Sequence, residues 1–310
     1  MLTRRHTRIK VMQSLYSISH EGKQTLKDQL IFYTESVKKS YDLFYLLMSI
    51  YKNVYNYAQK NINLEKKLQY ELPNPLAEKV VKNIFFKSLC EDKTISSYIK
   101  NKKLDYWNLD SEYINQFYVD LTSGSEYSNY LPGTSKEKDI LFCLNFYKDC
   151  IAKSDKLYDY LEDKQLTWID DFPLVNTYII KQIKSQDFEK SKKIDFPFFN
   201  LESEETSFGI NILNKVISES ELLESEIKGK TPNWDSERIA DIDFILLKMA
   251  ISEFLFFDEV PLKVTINEYL EIAKDYSTPK SNIFINGVLD NLSKDFDKKG
   301  RLNKSGRGLL

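Results

Sequence analysis

The residues best suited to chemistry sit at the very start of the chain. Arg4, Arg5, Arg8 and Lys10 all precede the first acid, Glu21. Guanidinium groups at this density can hold phosphate oxygens through paired N–H donors, and Tyr16 offers a flat ring on which an unpaired base can stack. Arg5 and Tyr16 are eleven residues apart, three helical turns, so a helix would put them on one face. The plain alternatives are a solubilising basic end for the arginines and core packing for the tyrosine.

Other chemistries have little to build from. The sequence contains no G-x-G-x-x-G, P-loop, H-E-x-x-H or G-x-S-x-G pattern. Its two histidines, His6 and His20, give neither a Cys–His nucleophile pair nor a histidine metal site much support. The adjacent Asp170 and Asp171 belong to a set of 46 acids and read as solvated surface. Cys90, Cys143 and Cys150 form an odd set without C-x-x-C spacing, which suits reduced core residues better than disulfides or zinc. No cofactor is implied, and the reading is of a binding protein, not an enzyme. With 44 basic residues, the net charge of −2 excludes a bulk cationic footprint, so any nucleic-acid contact must be local. No run of 18 apolar residues occurs, which points away from a membrane and toward the cytoplasm.

These groups need a scaffold, and the composition favours helices. Apolar residues make up 42% of the 310 positions, enough for a large core, while 9 glycines and 8 prolines leave few turn formers for strands. Val11, Leu15 and Ile18 mark one face of a helix over residues 4–19. A long amphipathic pattern runs from Leu26 to Asn61, and Leu72-Pro-Asn-Pro75 breaks it. The capping-box spacing Thr134-x-x-Glu137 predicts a helix from about Ser135 to Asp163. Residues 186–206 are charged and broken, as a connection would be. Pro261 is placed to open a further helix, and Ser281 or Asn282 to cap the last one. Gly287, inside that last helix, suggests a close helix crossing. A weak repeat at a shift of 66 pairs Trp168 with Trp234; duplication and convergent helix patterning explain it equally well.

Three stretches carry a family resemblance. Residues 4–17, RRHTRIKVMQSLYS, resemble the opening pattern of the NusB antitermination family. Residues 238–254, with Arg238, Asp241, Leu246, Leu247, Ala250 and Glu253, resemble its fourth-helix pattern. VPLKVTINE from Val260, AKDY from Ala273 and FINGVLD from Phe284 form its most specific ordered set. The resemblance covers residues 4 to about 60 loosely and 207–293 well. It implies an all-α, NusB-like bundle with a helical insertion: 1–64 and 207–293 as the core, 65–206 as the insertion, and 294–310 as a basic disordered tail.

What the resemblance implies about function is equally specific. Members of this family pair a boxA element of ribosomal RNA leaders with a small-subunit ribosomal protein, NusE, within the RNA polymerase antitermination complex. The implied RNA-binding residues are Arg4, Arg5 and Arg8 for phosphates, Tyr16 and Phe284 for stacking, and Lys280 and Asn282 in the turn before the last helix. Glu237 and Asp243 correspond to the ribosomal-protein face. Asn267, Glu268, Asn286 and Asp290 read mainly as packing and hydrogen-bonding residues. Two rivals remain: a protein-binding scaffold that has lost RNA binding, and an RNA cytosine methyltransferase, which would need a cofactor domain after the module. The aromatics of the insertion, among them Trp107, Tyr113, Phe117, Tyr118, Tyr127 and Tyr130, suit either core or interface.

Overall fold

A computed structural model describes residues 1–21, 25–67, 75–185, 196–230 and 240–304; within these, the side chains of residues 18–21, 66, 75, 76, 125 and 126 are left aside. Every regular element among the described residues is helical: α1 Arg4–Glu21, α2 Leu26–Lys67, α3 Pro75–Lys82, α4 Ile84–Glu91, α5 Lys93–Lys102, α6 Tyr106–Leu109, α7 Ser111–Ser123 and α8 Ser125–Asn129. There follow α9 Lys136–Phe146, a π-turn Tyr147–Ile151, α10 Asp155–Lys164, α11 Trp168–Ser185, α12 Glu204–Ser218, α13 Ser220–Lys230, α14 Asp241–Phe256, α15 Leu262–Tyr276 and α16 Ser281–Lys298. Among the described residues no helix is long and apolar enough to cross a membrane.

The chain forms two compact units, one of residues 38–199 with Met1, the other of residues 2–37 and 200–310. The sequence reading put its boundaries at 64/65 and 206/207. The first differs because α2 continues through residue 37 without a breaker, and its residues count with one unit before that point and with the other after it. Thr25 opens α2 reciprocally with Asp28: its amide and hydroxyl donate to the carboxylate, and the Asp28 amide donates back at 3.3 Å.

In the unit of residues 38–199 the aromatics are core. Trp107, Phe117, Tyr118, Tyr127 and Tyr130 are buried, and Tyr113 packs against the same cluster. Tyr51 lies 5.3 Å from the Phe85 ring, 5.0 Å from Phe86 and 5.4 Å from Phe146, and its hydroxyl donates to the Cys143 carbonyl at 2.8 Å. The single helix anticipated over 135–163 is two. Ser135, not Thr134, caps α9; the Ala152 amide then bonds back five residues to Tyr147, and Ser154 caps a fresh start at α10.

The other unit is built around α14. Almost every residue of α14 from Ile245 to Phe254 is buried, as expected of a helix surrounded by others. Helices α1, α12, α13, α15 and α16 all pack against it, and α1 also packs along α12. Val11 and Leu15 supply the buried face of α1; the Ile18 side chain lies outside the described residues. The close crossing falls at Gly209 of α12, where a Cβ would stand 2.6 Å from Thr7 Cγ2 and nearer still to the Tyr33 ring. Gly287, where the sequence suggested one, is exposed and a Cβ there meets nothing. The chain after Lys294 is also not a loose tail as far as Lys304. It completes α16, turns at Gly300 with φ 63°, pairs Arg301 with Glu226 at 2.5 Å, and sets Lys304 on the Glu253 and Phe257 carbonyls at 2.8 and 2.7 Å. Of the repeat, Trp168 is buried in the first unit and Trp234 lies outside the described residues.

Candidate nucleic-acid interface

Helix α1 turns its three arginines to three different fates. Arg4 pairs with Glu204 and lies 4.9 Å from the centroid of the Phe208 ring, leaving its side chain 37% exposed. Arg5 forks onto Glu268 of α15, with Nε and Nη2 each donating at 2.9 Å, and stays 43% exposed. The fork holds the Glu268 carboxyl below its ordinary range and raises the Arg5 guanidinium, chiefly through that hydrogen bond.

Arg8 differs. It is 1% exposed, and its Nε and Nη2 each donate at 2.7 Å to the carboxylate of Glu253, which is fully buried. The Tyr269 hydroxyl at 2.6 Å and the Thr265 hydroxyl at 3.2 Å complete the Glu253 acceptor set. Phe208 and Tyr269 rings cover the guanidinium at 5.0 and 5.6 Å. Arg8 therefore presents no face to a phosphate, which corrects the direct contact implied by the resemblance: its charge holds α1 onto α14. Burial outweighs every other influence on Tyr269 and pushes its phenol well up. The sequence carried a signal for this pair, because Glu253 is an acid in a helix apolar on all sides and so needs a buried cation.

These contacts fix helix directions. Arg8 meets Glu253 near one end of α14, while Leu15 shares a cavity of about 380 Å³ with Asp241, Phe244 and Ile245 at its other end. Tyr16, 40% exposed, therefore lies at the amino end of α14. The same end holds the turn before α16, because Asp243 accepts from Ser277 at 2.6 Å and from Ser281 at 2.7 Å. Lys280 is exposed, Phe284 is half-buried, and the Asn282 side-chain oxygen accepts from the Ile283 amide at 2.9 Å. Tyr16, Lys280, Asn282 and Phe284 thus come to one end of the unit and Arg4 and Arg5 to the other. Eleven residues of α1 separate Arg5 from Tyr16, about 16 Å along one helix face. That matches about five nucleotides of a stacked single strand.

The two acids that the resemblance assigns to a protein partner are a different case. Asp243 is buried, and its two oxygens are engaged by the serines it caps, so its role in the fold is to tie α14 to the α15–α16 turn. Glu237 lies outside the described residues. Of the residues read as packing groups, Glu268 does hold Arg5, whereas Asn267 and Asn286 are exposed and Asp290 pairs with Lys294 on the surface at 2.6 Å. The cysteines are free thiols in the other unit; burial pushes Cys143 well up and Cys150 up to about 12.

Comparison with known proteins agrees with the helical frame. The NusB family matches residues 175–294, leaving α1 outside the matched stretch. The chain is 46% identical over 103 residues to a transcription antitermination protein NusB of Salinibacter ruber, a stretch covering 33% of this chain and 64% of that protein. It is 47% identical over 103 residues to the protein of that name from Chloroherpeton thalassium, covering 33% of this chain and 49% of the relative. Over 119 residues it is 31% identical to the Natranaerobius thermophilus protein, covering 38% of this chain and 82% of that relative. The chain thus spans less than two thirds of the length of the first two relatives. No solved structure matches it.

Proposed function

Because this chain belongs to the NusB family, as a form much longer than the matched stretch, we propose that it acts in transcription antitermination by binding a short single-stranded RNA of the boxA kind. On this reading it acts on ribosomal RNA operons, in the cytoplasm, together with a small-subunit ribosomal protein in the role of NusE and the RNA polymerase antitermination complex. It performs no covalent chemistry. The strand runs along α1, its phosphates on Arg4 and Arg5 and its bases against Tyr16 and Phe284, with Lys280 and Asn282 adding a charge and an amide.

The observation that carries the reading is the docking of α1. That helix lies outside the matched stretch and is separated from α12 by some 180 residues of sequence, yet it packs on α12 and α14 and leaves Arg5 and Tyr16 exposed on one face. A charge able to leave its partner sits at one end, and the exposed Tyr16 ring and the half-buried Phe284 ring at the other. Glu268 competes with phosphate for Arg5, so the ion pair is a resting contact that a stronger, multiply charged acceptor displaces.

A gel shift comparing boxA-like RNA with a scrambled sequence, with and without the ribosomal protein, tests this. Retardation of the boxA-like RNA at lower protein concentration, strengthened by the ribosomal protein, is the expected result. Equal, weak retardation of both RNAs alongside tight binding of the ribosomal protein would replace it with a scaffold role.

A further inference from the structure

Residues 38–174 lie outside the family match and make up most of the unit of residues 38–199, and a groove in that unit has no assigned role. It is an opening of about 690 Å³ between α2 and α5, closed at one end by α6. Three lysines line it, Lys52, Lys100 and Lys103, against one acid, Asp105. The Lys52 ammonium is steered into place by the Cys90 carbonyl at 3.1 Å and by the Ser96 hydroxyl. Lys100 and Lys103 are exposed and make no ion pair among the described residues.

The backbone adds an independent observation. Lys103 is the one non-glycine residue with positive φ among those described, at φ 56° and ψ 40°, in the left-handed conformation that ends α5. Glycine adopts that conformation at less cost. What lysine supplies there and glycine cannot is a cation at the groove.

The opposite wall carries amides. Asn53 donates through Nδ2 to the Ser49 carbonyl at 2.9 Å, and Asn56 accepts at Oδ1 from the Cys90 thiol at 3.3 Å. One acceptor oxygen, on Asn53, and one donor nitrogen, on Asn56, are left a turn apart on α2. An acceptor beside a donor suits the edge of a base, whereas a carboxylate peptide would use donors alone. Leu109, 83% exposed on the groove's rim, gives a base an apolar surface.

We infer that this α2/α5 groove is a second nucleic-acid site, holding one or two nucleotides of single-stranded RNA with phosphates on Lys100 and Lys103 and a base edge on Asn53 and Asn56. The choice of RNA among polyanions rests on the proposed function.

The test uses the full chain and a fluorescent octauridylate carrying 4-thiouridine, with parent, Lys103→Gly and Arg5→Ala/Tyr16→Ala proteins. Lys103→Gly should raise Tm by about 2 °C by relieving the left-handed lysine, and at the same time weaken octauridylate binding about fivefold at 0.1 M salt through the loss of one phosphate contact. A residue with only a structural role would not move the two readouts in opposite directions. Crosslinks should map to residues 93–109 and persist in Arg5→Ala/Tyr16→Ala. Undiminished binding by Lys103→Gly, absence of crosslinks in 93–109, or displacement of the RNA from Arg5→Ala/Tyr16→Ala by equimolar polyglutamate would overturn the inference, the last assigning the groove to an acidic peptide. If crosslinks appear only on α1 and α16, the groove fails and the proposed function stands. If Arg5→Ala/Tyr16→Ala binds boxA-like RNA as the parent does while Lys103→Gly loses octauridylate, the reverse holds.

Discussion

Replacing either member of the Arg8–Glu253 pair should be among the most damaging single changes in the family-related unit. Both side chains are less than 3% exposed, and the carboxylate receives four donors: two from Arg8, one from Tyr269 and one from Thr265. Arg8→Met leaves a buried carboxylate with two hydroxyl donors only, and Glu253→Gln leaves a buried guanidinium facing a neutral amide. Breaking a buried pair from one side costs about 3–5 kcal/mol, a large part of the roughly 5–15 kcal/mol that holds a domain together. In Arg8→Met/Glu253→Gln no charge is stranded, and the glutamine keeps the two hydroxyls satisfied. The double variant should therefore fall short of the sum of the single losses by at least about 2 kcal/mol. Urea titrations followed by far-ultraviolet circular dichroism, with hydrogen exchange of the α14 amides to localise the loss, measure all three. Additive single losses under about 1 kcal/mol would show that the guanidinium is not committed to Glu253, and Arg8 would return as a phosphate ligand.

Three further outcomes follow from the same unit. Gly287→Ala, at an exposed helix position with open space, should stabilise by about 0.5–1 kcal/mol, whereas Gly209→Ala, driven into Tyr33 and Thr7, should cost about 1–3 kcal/mol; thermal melts of the two distinguish them by sign. Glu268→Gln should free Arg5 and tighten binding of single-stranded RNA in anisotropy titrations. Because the Glu268 carboxyl is held low in the folded protein, its contribution to stability is present above the ordinary carboxylate range and fades as pH falls through the lowered value; denaturant melts in acid should show Glu268→Gln losing less than the parent. Asp243→Ala should cost about 1–3 kcal/mol and raise exchange in residues 277–284 more than in α13, since two serine hydroxyls lose their acceptor.

Helix content was legible because so few residues can punctuate the chain, and the apolar spacing of α1, α15 and α16 placed those helices within a few residues. What escaped the sequence was set by distance along it. The partners of Arg4, Arg5 and Arg8 lie 200, 263 and 245 residues away, so three adjacent arginines looked alike although one is buried and two are accessible. The resemblance assigns Asp243 to a partner face, and its burial is not legible beside it because the serines that turn it inward follow 34 and 38 positions later. The boundary expected at 64/65 follows the end of the long amphipathic pattern, while the units divide at 37/38, inside an unbroken helix. Glycine misled for the same reason: Gly287 and Gly209 both interrupt helices, and only the neighbours in space decide which of them is a contact.

The most direct test of the RNA-binding account is a salt titration of boxA-like and scrambled RNA binding to the parent, Arg5→Ala, Tyr16→Ala and Phe284→Ala proteins, each checked for native helicity. Arg5→Ala should weaken both RNAs alike and lower the slope of log affinity against log salt by about 0.7, the signature of one lost single-strand phosphate contact. Tyr16→Ala and Phe284→Ala should each cost about 1–3 kcal/mol of stacking while leaving that slope nearly unchanged. Parental binding of boxA-like RNA by all three variants would contradict the account and move the RNA away from α1.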